Sequence, residues 1–157
     1  MAEIERKTDK ANGIVKKYML GSLAVGIVPI PLMDMAILSG LQLKMLHSLA
    51  RLYEVAFSET LGKSLIASLL GGGISASVSS SFAGLFKVVP FIGQSAHLVS
   101  TSLFSGASTY AIGKVFIQHF ESGGTFLTFD PQRVRHYYAR QFEKGKEEVM
   151  RFAGVKP

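Results

Sequence analysis

Apolar positions recur at three- and four-residue steps over most of this chain, which predicts helices and little else. The first spans residues 3 to 27, polar until Lys17 and apolar afterwards. Val28-Pro29-Ile30-Pro31 stops it, because proline has no amide donor and restricts the residue before it. From Leu32 to about Phe57 a second helix is amphipathic: Lys44, His47, Ser48, Arg51 and Glu54 form a polar stripe opposite Met45, Leu46, Leu49, Leu52, Tyr53 and Ala56. Ser58 followed by Glu59 reads as a cap and an acidic first turn, opening a helix that runs to about Phe86. Val89-Pro90-Phe91-Ile92-Gly93 repeats the earlier Pro punctuation and introduces a fourth long run, which Ser122-Gly123-Gly124 ends. Thr125 to Phe129 alternates like a short strand or loop, and Asp130-Pro131 opens a last amphipathic helix to about Phe152. The expectation is an all-α chain of about five helices, arranged as two Pro-turn helical units with a C-terminal amphipathic helix.

Charge changes the picture more than hydropathy does. The chain of 157 residues is 48% hydrophobic and 18% charged, with 17 Lys and Arg against 11 Asp and Glu. Mean hydropathy is +0.30. Residues 1 to 17 carry five basic groups against three acidic, and residues 130 to 157 seven against four. Between Lys63 and Lys87 lie 23 residues without formal charge, and between Lys87 and Lys114 another 26. Each run exceeds the roughly 20 residues a helix needs to cross the hydrocarbon core. A membrane hairpin of residues 64–86 and 91–117 is therefore one reading, with the basic termini placing both ends in the cytoplasm. A hairpin buried inside a helical bundle or oligomer is the other. Three divisions follow: a charged segment 1–17, a helical domain 18–122 holding the hairpin, and a linker with the basic helix in 123–157.

Small residues mark where helices approach closely. Gly72, Ala76, Ser80 and Gly84 stand at strict four-residue spacing on one face, and Ser102, Gly106 and Gly113 fall on the following run. These seven form a candidate helix-packing seam, within the chain or between copies of it. In the last helix Val134, Tyr137, Tyr138, Gln141, Phe142, Val149 and Phe152 lie to one side of Arg133, Arg140, Lys144 and Arg151. Those four cations are candidates for contact with anionic lipid; a solvated face on a helix packed against its own domain fits equally.

Catalytic chemistry finds no footing. Gly62-Lys63-Ser64 has the end of a phosphate loop, yet Phe57 stands where the spacing requires glycine. Gly93-Gln94-Ser95-Ala96-His97 lacks the closing glycine of a nucleophile elbow. The four histidines form no metal-ligand spacing, and the chain has no cysteine, so neither a metal nor another cofactor is expected. His97 interrupts an uncharged run and is read as a neutral histidine bonded to a neighbouring helix, an ionisable group at membrane depth being the functional alternative. A continuous basic groove for nucleic acid is missing. The serine-rich seam leaves a small pore as a lesser reading.

Several stretches together resemble a known family. They are Ile27 to Asp34, Leu41 to Met45, Leu49 to Tyr53, Leu69 to Gly72, Val89 to Gly93 and Thr109 to Ile117, with Pro29, Pro31, Asp34, Pro90 and Gly93 marking the turns. In these residues the chain resembles the GTPase-associated, YcjF-like domain of unknown function, over roughly residues 20 to 122. The resemblance implies a bacterial, helical, membrane-associated domain without established catalytic residues, often fused to or encoded near a small GTPase. No GTPase lies in this chain, so such a partner would act in trans. The function expected is a non-enzymatic scaffold or membrane-organising protein at the bacterial inner membrane that associates with itself. A soluble cytoplasmic adaptor of a GTPase is the alternative.

Overall fold

The computed structural model describes residues 1–25, 31–72 and 94–155. Within them lie five helices: α1 (Ala2–Val25), α2 (Pro31–Tyr53), α3 (Glu59–Gly72), α4 (Gln94–Glu121) and α5 (Arg135–Phe152). No strand occurs among the described residues, so the all-α expectation of about five helices holds.

Each boundary has a local cause. Pro31 takes the first position of α2, where its missing N–H is no loss and its fixed φ suits the helix. Ser58 caps α3, its Oγ accepting from the Leu61 N–H at 3.3 Å, while Glu59 pairs with Lys63 at 2.6 Å. Three helices end in the same Schellman geometry, with paired bonds from the two residues after the last turn. At α4 these are Gly123 N–H to Phe120 O and Gly124 N–H to His119 O; at α5, Gly154 N–H to Arg151 O and Val155 N–H to Met150 O. Gly123 and Gly154 supply the left-handed residue, with φ of 83° and 72°. At α2 the bonds are Glu54 N–H to Arg51 O and Val55 N–H to Ala50 O, and the left-handed residue is Glu54, φ 59°. This stops α2 four residues before the expected Phe57. A side chain in that conformation costs about 1 kcal/mol relative to glycine. Glu54→Gly is accordingly expected to stabilise the fold by about 1 kcal/mol, raising Tm in a thermal melt by about 3 °C.

α4 is the central element. α1 runs antiparallel along it, with Thr8 beside Glu121, Asn12 beside Lys114, and Ser22 and Leu23 beside Ser105 and Ser102. α2 lies parallel to it, Gln42 reaching Ser108 and Thr109 and Tyr53 reaching Glu121. α5 covers a third side, with Phe142 near Phe104 and Val149 over Gly106. The core fills the space between them: Ala11, Val15, Met45, Leu49, Ile66, Ala111, Ile112 and Phe116 are all buried.

Two further expectations are corrected. Residues 125–129 are a turn and not a strand: the Thr128 N–H bonds Thr125 O, and Phe126 and Phe129, three apart, both enter the core while Leu127 is 84% exposed. The last helix begins at Arg135 and not at Asp130. Asp130 Oδ1 accepts from the Gln132 N–H at 2.9 Å, a side-chain turn that competes with helix entry.

The membrane hairpin is corrected as far as the described residues reach: none of their helices is long and apolar enough to cross a membrane. α4, which contains most of 91–117, has the length but includes seven serines and threonines. Its apolar positions Ala107, Ala111, Ile112, Val115 and Phe116 are covered by protein. Residues 73–86 of the other arm lie outside the described residues.

Candidate functional site

The small-residue positions of α4 are occupied within the chain. A Cβ on Gly106 would fall 2.7 Å from Leu23 Cδ2 and against Val149 Cγ2, so α1 and α5 both close on that glycine. Gly113 takes Val15 in the same way. Ser102 Oγ donates to Leu23 O at 3.1 Å and Ser22 Oγ to Ser105 O at 3.2 Å, tying α1 to α4 where the backbones come nearest. α5 contributes a small residue of its own, Gly145, which meets the backbone of Ala107; the spacing analysis missed it because one glycine in a charged helix leaves no repeat. Gly72 ends α3 as described. Ala76, Ser80, Gly84, Pro29, Pro90 and Gly93 lie outside the described residues, as do the side chains of Asp34 and His97, while Pro31 starts α2.

Beside this seam runs a buried polar layer. Gln42 Nε2 donates to Ser108 Oγ and Thr109 Oγ1, both at 3.2 Å, and all three residues are inaccessible. Gln42 Oε1 has no hydrogen-bond partner, an uncompensated polar atom inside the bundle.

The phosphate-loop remnant is structural. Gly62 sits within α3 with Leu43 Cδ1 2.7 Å from where a Cβ would be, and Lys63 is held by Glu59. His47 stacks on Phe57 at 4.5 Å, and His119 Nε2 lies 2.8 Å from Thr125 O. Among the described residues no group of histidine and carboxylate side chains could hold a metal ion.

The apolar side of α5 is used for packing: Tyr138, Gln141, Phe142, Gly145 and Val149 are buried against the bundle. Burial raises the Tyr138 phenol well above its ordinary range. Arg140, Lys144 and Arg151 are exposed along the outer face, and Arg133 lies in the preceding turn, paired with Asp130 at 3.5 Å. Arg151 pairs with Glu148 at 2.9 Å. α5 is about 27 Å long at 1.5 Å per residue, against about 42 Å for α4, so these cations are spread along part of the bundle's length.

The two ends differ in charge. The C-termini of α1 and α3 and the N-termini of α2 and α4 gather at one end, as the antiparallel contacts require. Between Tyr18 and Leu43 the sole formal charge is Asp34, and between Ser64 and Gly113 it is Lys87. Ile37, 44% exposed, lies near this end in the second turn of α2, and Phe152, 62% exposed, closes α5 about one turn past the Val149 that packs on Gly106, on the side toward this end. The charged last turns of α5 are set back from it, Glu148 and Arg151 lying within electrostatic range of Tyr110 near the middle of α4. The opposite end carries the charged first turns of α1, Glu54, Glu59 and the 122–134 segment.

Over 137 residues the chain is 42% identical to Magnetosome membrane protein 22 of Magnetospirillum gryphiswaldense, an alignment covering 87% of this chain and 70% of that protein. No solved structure matches it. A family match extends beyond residues 20 to 122, which carry the resemblance noted above, from the first turn of α1 into α5. Since it takes in every helix of the bundle, the chain belongs to the family described as Domain of unknown function (DUF697), matched over residues 3–147.

Proposed function

We propose that this chain is a non-enzymatic, membrane-associated helical scaffold whose uncharged end meets the bilayer of a bacterial inner membrane, with both termini on the cytoplasmic side. The observation that carries it is the gathering of four charge-poor helix ends at one end of the bundle, with Phe152 and Ile37 exposed beside them. Transfer of such side chains out of water is favourable by about 2 kcal/mol each, whereas charged groups resist leaving it. The relation to a magnetosome membrane protein supports a membrane setting. Of the four lipid-surface candidates, Arg151 is the nearest to this end along α5 and Arg133 the farthest from it.

Co-flotation with vesicles of anionic phospholipid tests the orientation. Phe152→Asp is expected to weaken binding on the order of 30-fold, the equivalent of about 2 kcal/mol. Leu127→Asp, at a still more exposed apolar position toward the opposite end, is expected to leave binding unchanged. The reverse pattern would put the charged end on the membrane and overturn the reading.

Self-association belongs to the same proposal. With Gly106 and Gly113 filled by α1 and α5, the four-residue spacing of Gly72, Ala76, Ser80 and Gly84 is what supports it. Ala76→Leu should then reduce the oligomer mass measured by light scattering. The family resemblance supports a GTPase acting in trans, for which retention of a GTPase by the immobilised chain should differ between GTP-analogue and GDP states.

A further inference from the structure

From Lys10 to Val25 α1 carries Lys10, Lys16 and Lys17, and from Ala36 to Tyr53 α2 carries Lys44 and Arg51; neither stretch holds a carboxylate. The two stretches pack side by side. Tyr18 OH lies 3.3 Å from Ser48 Oγ, a Cβ on Gly21 would stand 3.9 Å from Leu41 Cδ2, and Lys7 Nζ is 5.6 Å from the Tyr53 ring centroid. These contacts fix an antiparallel register in which Lys17 is level with Lys44, and Lys10 with Arg51, to within about one turn. Lys44 and Arg51 are the i−4 and i+3 neighbours of Ser48 and so share its side of α2. Lys17 Nζ lies 6.0 Å from the Tyr18 ring, and Lys10 precedes Lys17 by two turns on the same side of α1. All four cations are exposed. In both helices the step from one to the next is seven residues, about 10.5 Å.

None of the four forms an ion pair among the described residues. The carboxylates of these helices stand beyond the stretch: Glu3, Glu5 and Asp9 before it in α1, Asp34 and Glu54 on either side of it along α2. Glu121 of α4 is engaged by Thr8 Oγ1 at 2.7 Å and Tyr53 OH at 2.8 Å, and Glu59 of α3 by Lys63. The face therefore presents two rows of positive charge without a balancing charge inside it, a field that attracts an acidic partner. Gly13, between Lys10 and Lys17, and Gly40, one turn before Lys44, are exposed within their helices, and a Cβ on either would meet nothing within 4 Å. Glycine weakens a helix interior, and the packing of this chain does not require it at these two places. Beside the cations the surface is thus low enough for another backbone to come close.

We propose that the α1–α2 face is a docking surface for an acidic helix of another protein, whose carboxylates meet Lys10 and Lys17 on one side and Lys44 and Arg51 on the other. A helix lying along the groove returns the same face about every seven residues, which is the step of both cation rows. A second copy of this chain does not supply that pattern, since no two of its 11 Asp and Glu are seven positions apart. Nor does the face hold what nucleic acid or lipid would use. Tyr18 and Tyr53 are partly buried and bonded to Ser48 and Glu121, closed to stacking on bases, and none of the exposed large apolar side chains lies between the four cations as an anchor in the bilayer. The surface runs along the side of the bundle and does not rest on the membrane reading.

The probe is an alanine-rich helical peptide with glutamates at seven-residue spacing along both edges of one face, and its glutamine counterpart is the control. Amide NMR of the full chain should show saturable shifts over residues 10–17 and 40–51 with the glutamate peptide and none with the glutamine one, weakening as salt is raised. Lys17→Glu with Lys44→Glu is expected to reduce affinity at least about tenfold. Arg140→Glu with Lys144→Glu, the same change of net charge on exposed positions of α5, should leave it within about twofold. Gly13→Leu with Gly40→Leu should weaken binding without lowering Tm, since both side chains enter open space. Absence of saturable shifts, equal loss in the α5 pair, or an unchanged affinity in the glycine pair overturns the proposal. Single-stranded RNA and phosphatidylglycerol vesicles are the competing probes. Weaker binding of both supports the acidic helix; tighter binding of either, lost in Lys17→Glu with Lys44→Glu, gives the face to a polyanion or a bilayer and overturns it.

Discussion

Gly145→Leu is expected to lower Tm by more than about 10 °C, or to prevent cooperative folding, when followed by circular dichroism. A Cβ at this position would lie 2.9 Å from both Cα and O of Ala107 and 3.1 Å from Tyr110 Cβ. The nearest atoms are backbone of the central helix, which cannot rotate away as a side chain can. Nor can α4 retreat as a body, since α1 and α2 hold its other sides through Ser22, Val15 and Gln42. Inserting methylenes into a packed core costs about 1–3 kcal/mol when neighbours can adjust. Leucine against an immobile backbone exceeds that range, and about 4 kcal/mol is a large share of the stability of a domain this size. Gly13 and Gly40 give the contrast, because both are exposed within helices and a Cβ there meets nothing within 4 Å. Gly13→Ala and Gly40→Ala should each stabilise by about 1 kcal/mol through helix propensity alone. If Gly145→Leu melted with these variants or with the wild type, the close packing of α5 on α4 would be wrong.

Phe116→Ala should cost about 4 kcal/mol and about 10 °C in Tm, from loss of a fully buried ring and the cavity it leaves. Phe116 stacks on Phe129 at 4.4 Å between centroids and meets Phe120 and Phe126 at 5.6 Å each. Phe126 in turn touches Phe57, and Phe120 touches Tyr53, so this ring joins the 122–134 segment to α2, to α4 and to the connection between α2 and α3. Such ring pairs contribute beyond the area they bury. The segment should lose amide-exchange protection at Phe126 and Thr128 in the variant, ahead of global unfolding. Phe152→Ala, an exposed phenylalanine, is expected to change Tm by less than about 2 °C. Equal effects of the two substitutions would remove Phe116 from the role of keystone.

The small residues on α4 show how a legible pattern acquires its meaning only in three dimensions. Their spacing announced a close approach of helices, and Ser102, Gly106 and Gly113 are all at close approaches. The partner expected in the sequence reading was the preceding uncharged run, whereas Leu23, Val15 and Val149 of α1 and α5 fill the places. For the self-association proposal this matters directly: Gly106→Leu would disturb the monomer before it disturbed any oligomer.

The features legible along the chain are local. The helical class, the start of α2 at the Pro turn, the Ser58 cap, the glycine stop after α4 and the amphipathic face of α5 each depend on residues within about four positions of one another, the range over which a helix makes its own bonds. The tertiary structure decided the rest: which helix fills each glycine, that α4 is covered by protein over much of its length, that Phe126 and Phe129 turn inward together, and where Glu54 ends α2. Those outcomes rest on side chains far apart in the chain competing for the same surface of α4, and a pattern of spacings along one helix contains no information about which distant surface wins.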